Sequence, residues 1–190
     1  MTLQVSERGF AEQSASEAHL IQVCFTVADL DAAVQTFSRM AGAGPWFRVP
    51  SLPKADDFTT YRGVRMALGA DIALAYAGNT MYELVAPHGG SESIFSEWVT
   101  RFGHGLHHFG YATEKFDRDL RVLKTSGVDP VMTSVTARGA RVAMVEGNGP
   151  LNVLHELIEI TPTSKDFYDR LRRAGRHWSA SSELYTDLAL

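Results

Sequence analysis

G-H-G-L-H-H-F-G-Y, residues 103–111, sets an imidazole at the mouth of a short apolar run with the composition of a strand. If the run is extended from His108 onward, His108, Gly110 and Ala112 share one face, and His107, Phe109 and Tyr111 share the other. The bulky face suits packing against a covering layer. The lean face leaves room around one imidazole for something that is not protein, which makes His108 the first ligand candidate. A lone buried histidine more often hydrogen-bonds a carbonyl than binds a metal, so His108 gains meaning only from partners elsewhere in the chain.

Downstream, Phe116, Leu120 and Leu123 mark one face of a helix closed by Gly127, and Val131–Val135, Arg141–Val145 and Val153–Ile160 read as strands. Upstream the same order occurs. Ile21, Val23, Phe25 and Val27 alternate within a strand over His19–Val27, Asp29 offers an N-cap, and Leu30, Ala33, Val34, Phe37, Met40 and Ala41 recur at helical spacing before Gly42 and Gly44. Pro45–Val49, Thr59–Leu68, Ile72–Tyr76 and Met81–Ala86 are strand-like, the last three reading as a meander. Between the halves, Ile94, Trp98 and Phe102 fall on one face of a connecting helix.

The two halves are an internal repeat. Gln22 and His108, Leu30 and Phe116, and Phe37 and Leu123 are each 86 residues apart, so first strand and helix superpose without a gap. At the closing strands the offset between Glu83 and Glu156 is 73, which predicts shorter loops in the second half, and the strings Y-E-L-V and H-E-L-I still correspond. The expected fold is α+β: two βαβββ modules, residues 19–87 and 107–161, joined by a connector over 88–106 into one domain, with a curved mixed sheet and helices outside. Residues 1–18 read as a polar tail. Residues 162–190 read as a helical extension carrying Phe167, Leu171 and Trp178, packed outside or on a partner, with a lid over the site as the sharper alternative.

If the modules pair about a pseudo-twofold axis, equivalent positions on their first and last strands converge, bringing Gln22, Glu83, His108 and Glu156 together. One imidazole, one amide oxygen and two carboxylates suit a divalent cation with positions left for water or substrate. Two unpaired carboxylates inside a sheet cup are costly, and a dication between them is the simplest compensation. His107 stands one residue out of register and is expected to face the helices, while Glu159 points away from Glu156.

Composition sets bounds on the rest. With 45% hydrophobic and 21% charged residues over 190, the chain is that of an ordinary globular protein. Its net charge of −4 argues against general nucleic-acid or anionic-membrane binding. The single cysteine, Cys24, lies in a strand and reads as a small buried hydrophobe. The first eighteen residues lack an apolar signal core and no long apolar run follows, which predicts a cytoplasmic protein.

The chain resembles the vicinal oxygen chelate superfamily, which includes glyoxalase I, methylmalonyl-CoA epimerase, extradiol dioxygenases and bleomycin-resistance proteins. The resemblance covers about His19 to Thr161. It rests on Q-V-C-F-T-V-A-D-L-D-A-A at 22–33, G-A-G-P-W-F at 42–47, Y-E-L-V-A-P at 82–87, residues 103–111 and H-E-L-I-E at 155–159. It implies a glyoxalase-like fold in which Gln22, Glu83, His108 and Glu156 ligate one divalent ion, with zinc, nickel, cobalt or manganese ahead of iron. The Gln-Glu-His-Glu order is similar to that of glyoxalase I, and the glycine-rich approach to two histidines is more like the epimerase branch. A departure is Lys115, which stands where the first module has the cap Asp29.

The implied activity is that of a metal-dependent isomerase, epimerase or lyase acting on a small carbonyl or acyl-thioester compound, with Glu83 or Glu156 moving the proton next to the carbonyl. The alternatives are an extradiol-type dioxygenase, against which Gln22 counts because that branch has His there, and a non-catalytic small-molecule-binding protein. The resemblance also allows a homodimer. Trp46, Phe47, Tyr61 and Tyr76 are candidates for an apolar cup, and Arg48, Arg62 and Arg65 for an anion contact; each suits the core or a solvated strand face equally well.

Overall fold

The computed structural model describes residues 17–49, 59–88, 92–147 and 152–187. Most of the expected N-terminal tail therefore lies outside the described residues. The strands are β1 (His19–Thr26), β2 (Phe47–Val49), β3 (Thr59–Tyr61), β4 (Val64–Met66), β5 (Ala70–Ala77), β6 (Thr80–Pro87), β7 (Gly105–Thr113), β8 (Pro130–Val135), β9 (Arg141–Glu146) and β10 (Leu154–Glu159). The helices are α1 (Leu30–Ala41), α2 (Ile94–Phe102), α3 (Phe116–Thr125) and α4 (Pro162–His177). All the strands join one mixed sheet in the order β2-β5-β6-β1-β7-β10-β9-β8-β3-β4. Among the described residues no helix is long and apolar enough to cross a membrane.

The repeat appears as register. β1 runs parallel to β6, and β7 runs parallel to β10, while β1 and β7 meet antiparallel at the centre. Gln22 faces Met81 and Cys24 faces Glu83 in the first half; His108 faces Leu154 and Gly110 faces Glu156 in the second. These pairs superpose under the two offsets read from the sequence.

One strand-like run departs from the expected meander. Thr59–Leu68 divides at Arg62-Gly63, where Arg62 has φ 48° and Gly63 φ 83°, into the hairpin β3–β4. That hairpin pairs with β8 of the other half instead of with β5, and the Thr59 and Ser134 hydroxyls meet at 2.7 Å. β2 takes the place beside β5 that the meander reading gives to Thr59–Leu68. The hairpin is thus an insertion in the first half with no partner in the second, and it contributes to the shortening of the offset from 86 to 73.

The sheet has two differently built faces. On one, Leu30 and Val34 of α1 cover Trp46, Ala73, Ala75 and Leu84, and Phe116 of α3 covers Ala143 and Leu157. Asp29 caps α1 by accepting from the Ala32 amide at 2.9 Å. At α3 Lys115 supplies no cap; its amide donates to the Thr113 hydroxyl, which donates to the buried Asp119 at 2.6 Å. The other face is the inside of the curl, where Phe47, Ile72, Leu74, Tyr76, Met81 and Val85 pack with Met132, Met144 and Leu154. Helices occupy this face too, contrary to the expectation that all lie outside: Ile94, Phe95 and Trp98 of α2 and Phe167 and Leu171 of α4 complete the inner core.

α4 is built into the domain. Thr161 and Ser164 form a capping box with Pro162 in the first turn. At its far end Gly175 allows close approach to β5, since a Cβ there would lie 3.1 Å from the Tyr76 carbonyl oxygen. Beyond it, Trp178 packs on Gly44, and Trp46 and Tyr185 form a parallel bridge. Replacing the fully buried Leu171 by Ala should therefore lower the unfolding free energy by about 2–5 kcal/mol in urea titration. A loss below about 0.5 kcal/mol would mean that α4 is a detachable appendage.

Candidate active site

The seam between the half-sheets sets the site. Gln22 comes from β1, Glu83 from β6, His108 from β7 and Glu156 from β10, and all four side chains point into the curl. The structure brings together every residue expected at the site. His108 Nε2 lies 3.3 Å from Glu83 Oε2 and 3.4 Å from Glu156 Oε2. Gln22 Nε2 donates to Glu83 Oε2 at 2.5 Å and lies 3.3 Å from His108 Nε2. Glu83, His108 and Glu156 each offer a ligand atom within 4.8 Å of the others.

Burial makes the charges matter. Gln22, His108 and Glu156 are 4%, 1% and 9% exposed. Burial alone would push the His108 pKa down, but Cys24 and Glu156 outweigh it and hold the value well above the ordinary one. Burial drives the Cys24 thiol upward, so Cys24 remains a neutral thiol, and the carboxylate is the partner that keeps the imidazole charged. Without a metal, then, a proton on His108 compensates the two acids. A divalent ion would take that proton's place, and the donor set of one imidazole, one amide and two carboxylates from separate strands fits such an ion.

His107 lies behind His108 for a reason different from simple alternation. Cys24 pairs with His108 and Phe25 with Leu106, so His107 is the extra residue of a β-bulge. Its ring packs on Phe95 and Trp98 of α2, with centroids 4.8 and 5.2 Å away. Its Nδ1 stands 2.9 Å from His108 Nδ1. Burial first, and then the His108 charge, press the His107 pKa down to about 2, so this ring is neutral. The His108 Nδ1–H donates to it, which leaves His108 Nε2 turned toward the carboxylates. His107 thereby orients the ligand candidate, as outer partners of ligating histidines do. Its own proton then sits on the buried Nε2, and the ring also interacts with the Ile94 backbone, which opposes part of the lowering. His155 is on the outer face against Tyr111, and Glu159 pairs with Arg141.

A cavity of about 370 Å³ opens over the quartet. Leu74, Ile72, Met132, Val142 and Ile158 wall it, and residues of β2 and β8, from opposite parts of the sheet, line it together. None of Trp46, Phe47, Tyr61 and Tyr76 lines it: Trp46 is in the outer core, Phe47 and Tyr76 are in the inner core, and Tyr61 bonds Glu97. Arg48 and Arg62 are engaged elsewhere, with Asp31 and with Glu97 and Glu146, and Arg65 is also absent from the lining. Outside the repeated strands, the residues that reach the cavity include Thr59 of the hairpin, Phe95 of α2, Ser164, Phe167 and Tyr168 of α4, and Arg138 of the β8–β9 turn. The T-P-T-S stretch at 161–164 caps α4, but nothing in it indicates the face that the helix presents.

Comparison with known proteins agrees with this architecture. A family model described as the glyoxalase/bleomycin resistance protein/dioxygenase superfamily matches residues 21–144. No curated protein sequence matches the chain. Among solved structures, a hypothetical protein from Bacillus halodurans is similar with TM-score 0.61 and 20% identity, over 77% of this chain and 96% of that one. Methylmalonyl-CoA epimerase from Mycobacterium tuberculosis gives 0.56 and 21%, over 77% and 91%. A Streptomyces coelicolor methylmalonyl-CoA epimerase variant in complex with 2-nitronate-propionyl-CoA gives 0.56 and 20%, over 76% and 98%.

The packing at the seam gives a direct check. A Cβ on Gly110 would stand 2.8 Å from Ile158 Cδ1 and 2.9 Å from Gln22 Cβ. Gly110→Ala should cost about 1–3 kcal/mol in urea unfolding. An unchanged midpoint would show that Gln22 does not lie against this strand.

Proposed function

The chain belongs to the glyoxalase/bleomycin resistance protein/dioxygenase superfamily, and on that premise we propose that it is a metal-dependent isomerase, epimerase or lyase that moves a proton next to the carbonyl of a small carbonyl compound or acyl thioester. The observation that carries the proposal is the meeting of two carboxylates, one from each half-sheet, on a single buried imidazole beneath an apolar cavity. Gln22, Glu83, His108 and Glu156 would hold the ion, Gln22 by turning its amide oxygen inward. A divalent ion held there polarises a carbonyl oxygen and stabilises the negative charge that develops on it.

The chain's own groups do the rest. The apolar walls exclude water and strengthen the electrostatics of the site. Glu83 or Glu156, within reach of the carbon beside the carbonyl, accepts its proton. Because the acids come from different strands, one can take the proton and the other return it from another side, which suits epimerisation or isomerisation. With one imidazole and an amide at Gln22, the donor set differs from the two-histidine, one-carboxylate pattern of oxygen-activating iron sites.

Protein purified without chelators should contain about one divalent ion per chain. His108→Ala should lose most of it, and His107→Ala should keep it. The raised His108 pKa fixes the direction with pH: as pH falls below that value a proton competes for the imidazole, so metal affinity should fall toward acid. In deuterium oxide the loaded protein should exchange the α-proton of a 2-substituted carbonyl compound or acyl thioester. Glu83→Gln and Glu156→Gln should slow that exchange about 100-fold or more while lowering metal content less. Turnover of catechols alone, with oxygen consumed and Fe(II) required, would instead place the protein with the dioxygenases.

A further inference from the structure

Among the polar groups of the cavity wall that the proton transfer does not use, two with long, hydrogen-bonding side chains come from outside the repeated strands. Arg138 sits on the turn between β8 and β9, and Tyr168 on α4. The Arg138 guanidinium carbon lies 3.6 Å from the centre of the Phe167 ring and 5.3 Å from that of Phe47, so two aromatic rings fix the cation at the cavity wall. Among the described residues, the groups that act on its charge are Tyr168 and Arg170, with no carboxylate among them. Burial accordingly lowers its pKa, the sign of a cation short of a counter-ion.

Tyr168 stands close enough to Arg138, Glu83 and Glu156 to be affected by all three. Burial and then the two carboxylates push its phenol upward, so it stays protonated and able to donate. Tyr168 lines the cavity, and its hydroxyl makes no hydrogen bond to another described residue. Every other arginine considered as an anion contact is absent from the lining, and His88, which is present, pairs with Asp71 at 3.2 Å.

An apolar cavity with one uncompensated guanidinium and one free phenol recognises a molecule with an apolar body and an anionic end. We propose that Arg138 and Tyr168 form a carboxylate subsite, so that the substrate carries a carboxylate in addition to the carbonyl served by Glu83 and Glu156. The placing of the carbonyl rests on the proton-transfer function proposed above; the subsite itself rests on the cavity alone. α4 thus contributes substrate recognition that the two modules by themselves lack.

Calorimetric titration of the full chain with 2-oxohexanoate and with its methyl ester separates charge from shape, and is made on both metal-loaded and chelator-treated protein. The acid should bind about tenfold more tightly than the ester, or better. Arg138→Gln should abolish that preference, Arg138→Lys keep part of it and Tyr168→Phe reduce it, with metal content unchanged. Thermal unfolding of each variant checks folding, and if Arg138→Gln is unfolded the other two carry the comparison. Equal binding of acid and ester by the wild type, no binding of either at millimolar concentration, or a preference unchanged in all the variants overturns the subsite. A preference that persists in protein unable to hold a divalent ion supports the subsite and contradicts the proton-transfer function instead.

Discussion

Two carboxylates, one buried and one largely so, around one buried imidazole are the constraint on which the rest of this structure depends. Acids so close together in an apolar curl repel each other and lose hydration, and His108 between Glu83 and Glu156 is what makes the arrangement tolerable. The pairing of β1 with β7 supplies the geometry. It sets the first strands of both modules side by side, and each then carries a final strand in parallel on its far side. Each half contributes one carboxylate, and Glu83 of the first half meets its imidazole only across the seam. The bulge at His107 completes the arrangement by placing a neutral acceptor behind His108.

A symmetric seam is completed by asymmetric additions. The β3–β4 hairpin of the first half reaches the far edge of the second, and α4 lays Phe167 and Leu171 on the inner face of the curl. Both additions bring residues to the cavity, Thr59 from the hairpin and Phe167 and Tyr168 from the helix. The repeated strands thus place the two carboxylates and the imidazole, while the insertions supply part of the cavity wall above them. This division is consistent with a superfamily in which one fold hosts several chemistries.

The repeat was legible because offset and register are the same information. Gln22 aligns with His108 at 86 residues and Glu83 with Glu156 at 73, so a pseudo-twofold pairing of the halves brings the four positions together, as the strand register does. What escaped had no counterpart in the other module or depended on contacts distant in sequence. The run Thr59–Leu68 carries a strand's composition wherever it pairs, and nothing local indicates that it crosses to β8. A bulge shifts a side chain without changing composition, so His107 reads as ordinary alternation. Arg138 looks like one more turn arginine until Phe47 and Phe167 surround it. The aromatic residues expected in the cup were assigned by type, and packing placed them in the two cores instead.

A divalent-metal site at the seam, built from both halves, is open to direct observation by anomalous diffraction from crystals grown with cobalt, recorded on either side of its absorption edge. One peak per chain is expected, bounded by the side-chain oxygens of Gln22, Glu83 and Glu156 and by His108 Nε2. A seam without a peak, or a peak only among Cys24, His107 and the Nδ1 side of His108, would contradict it.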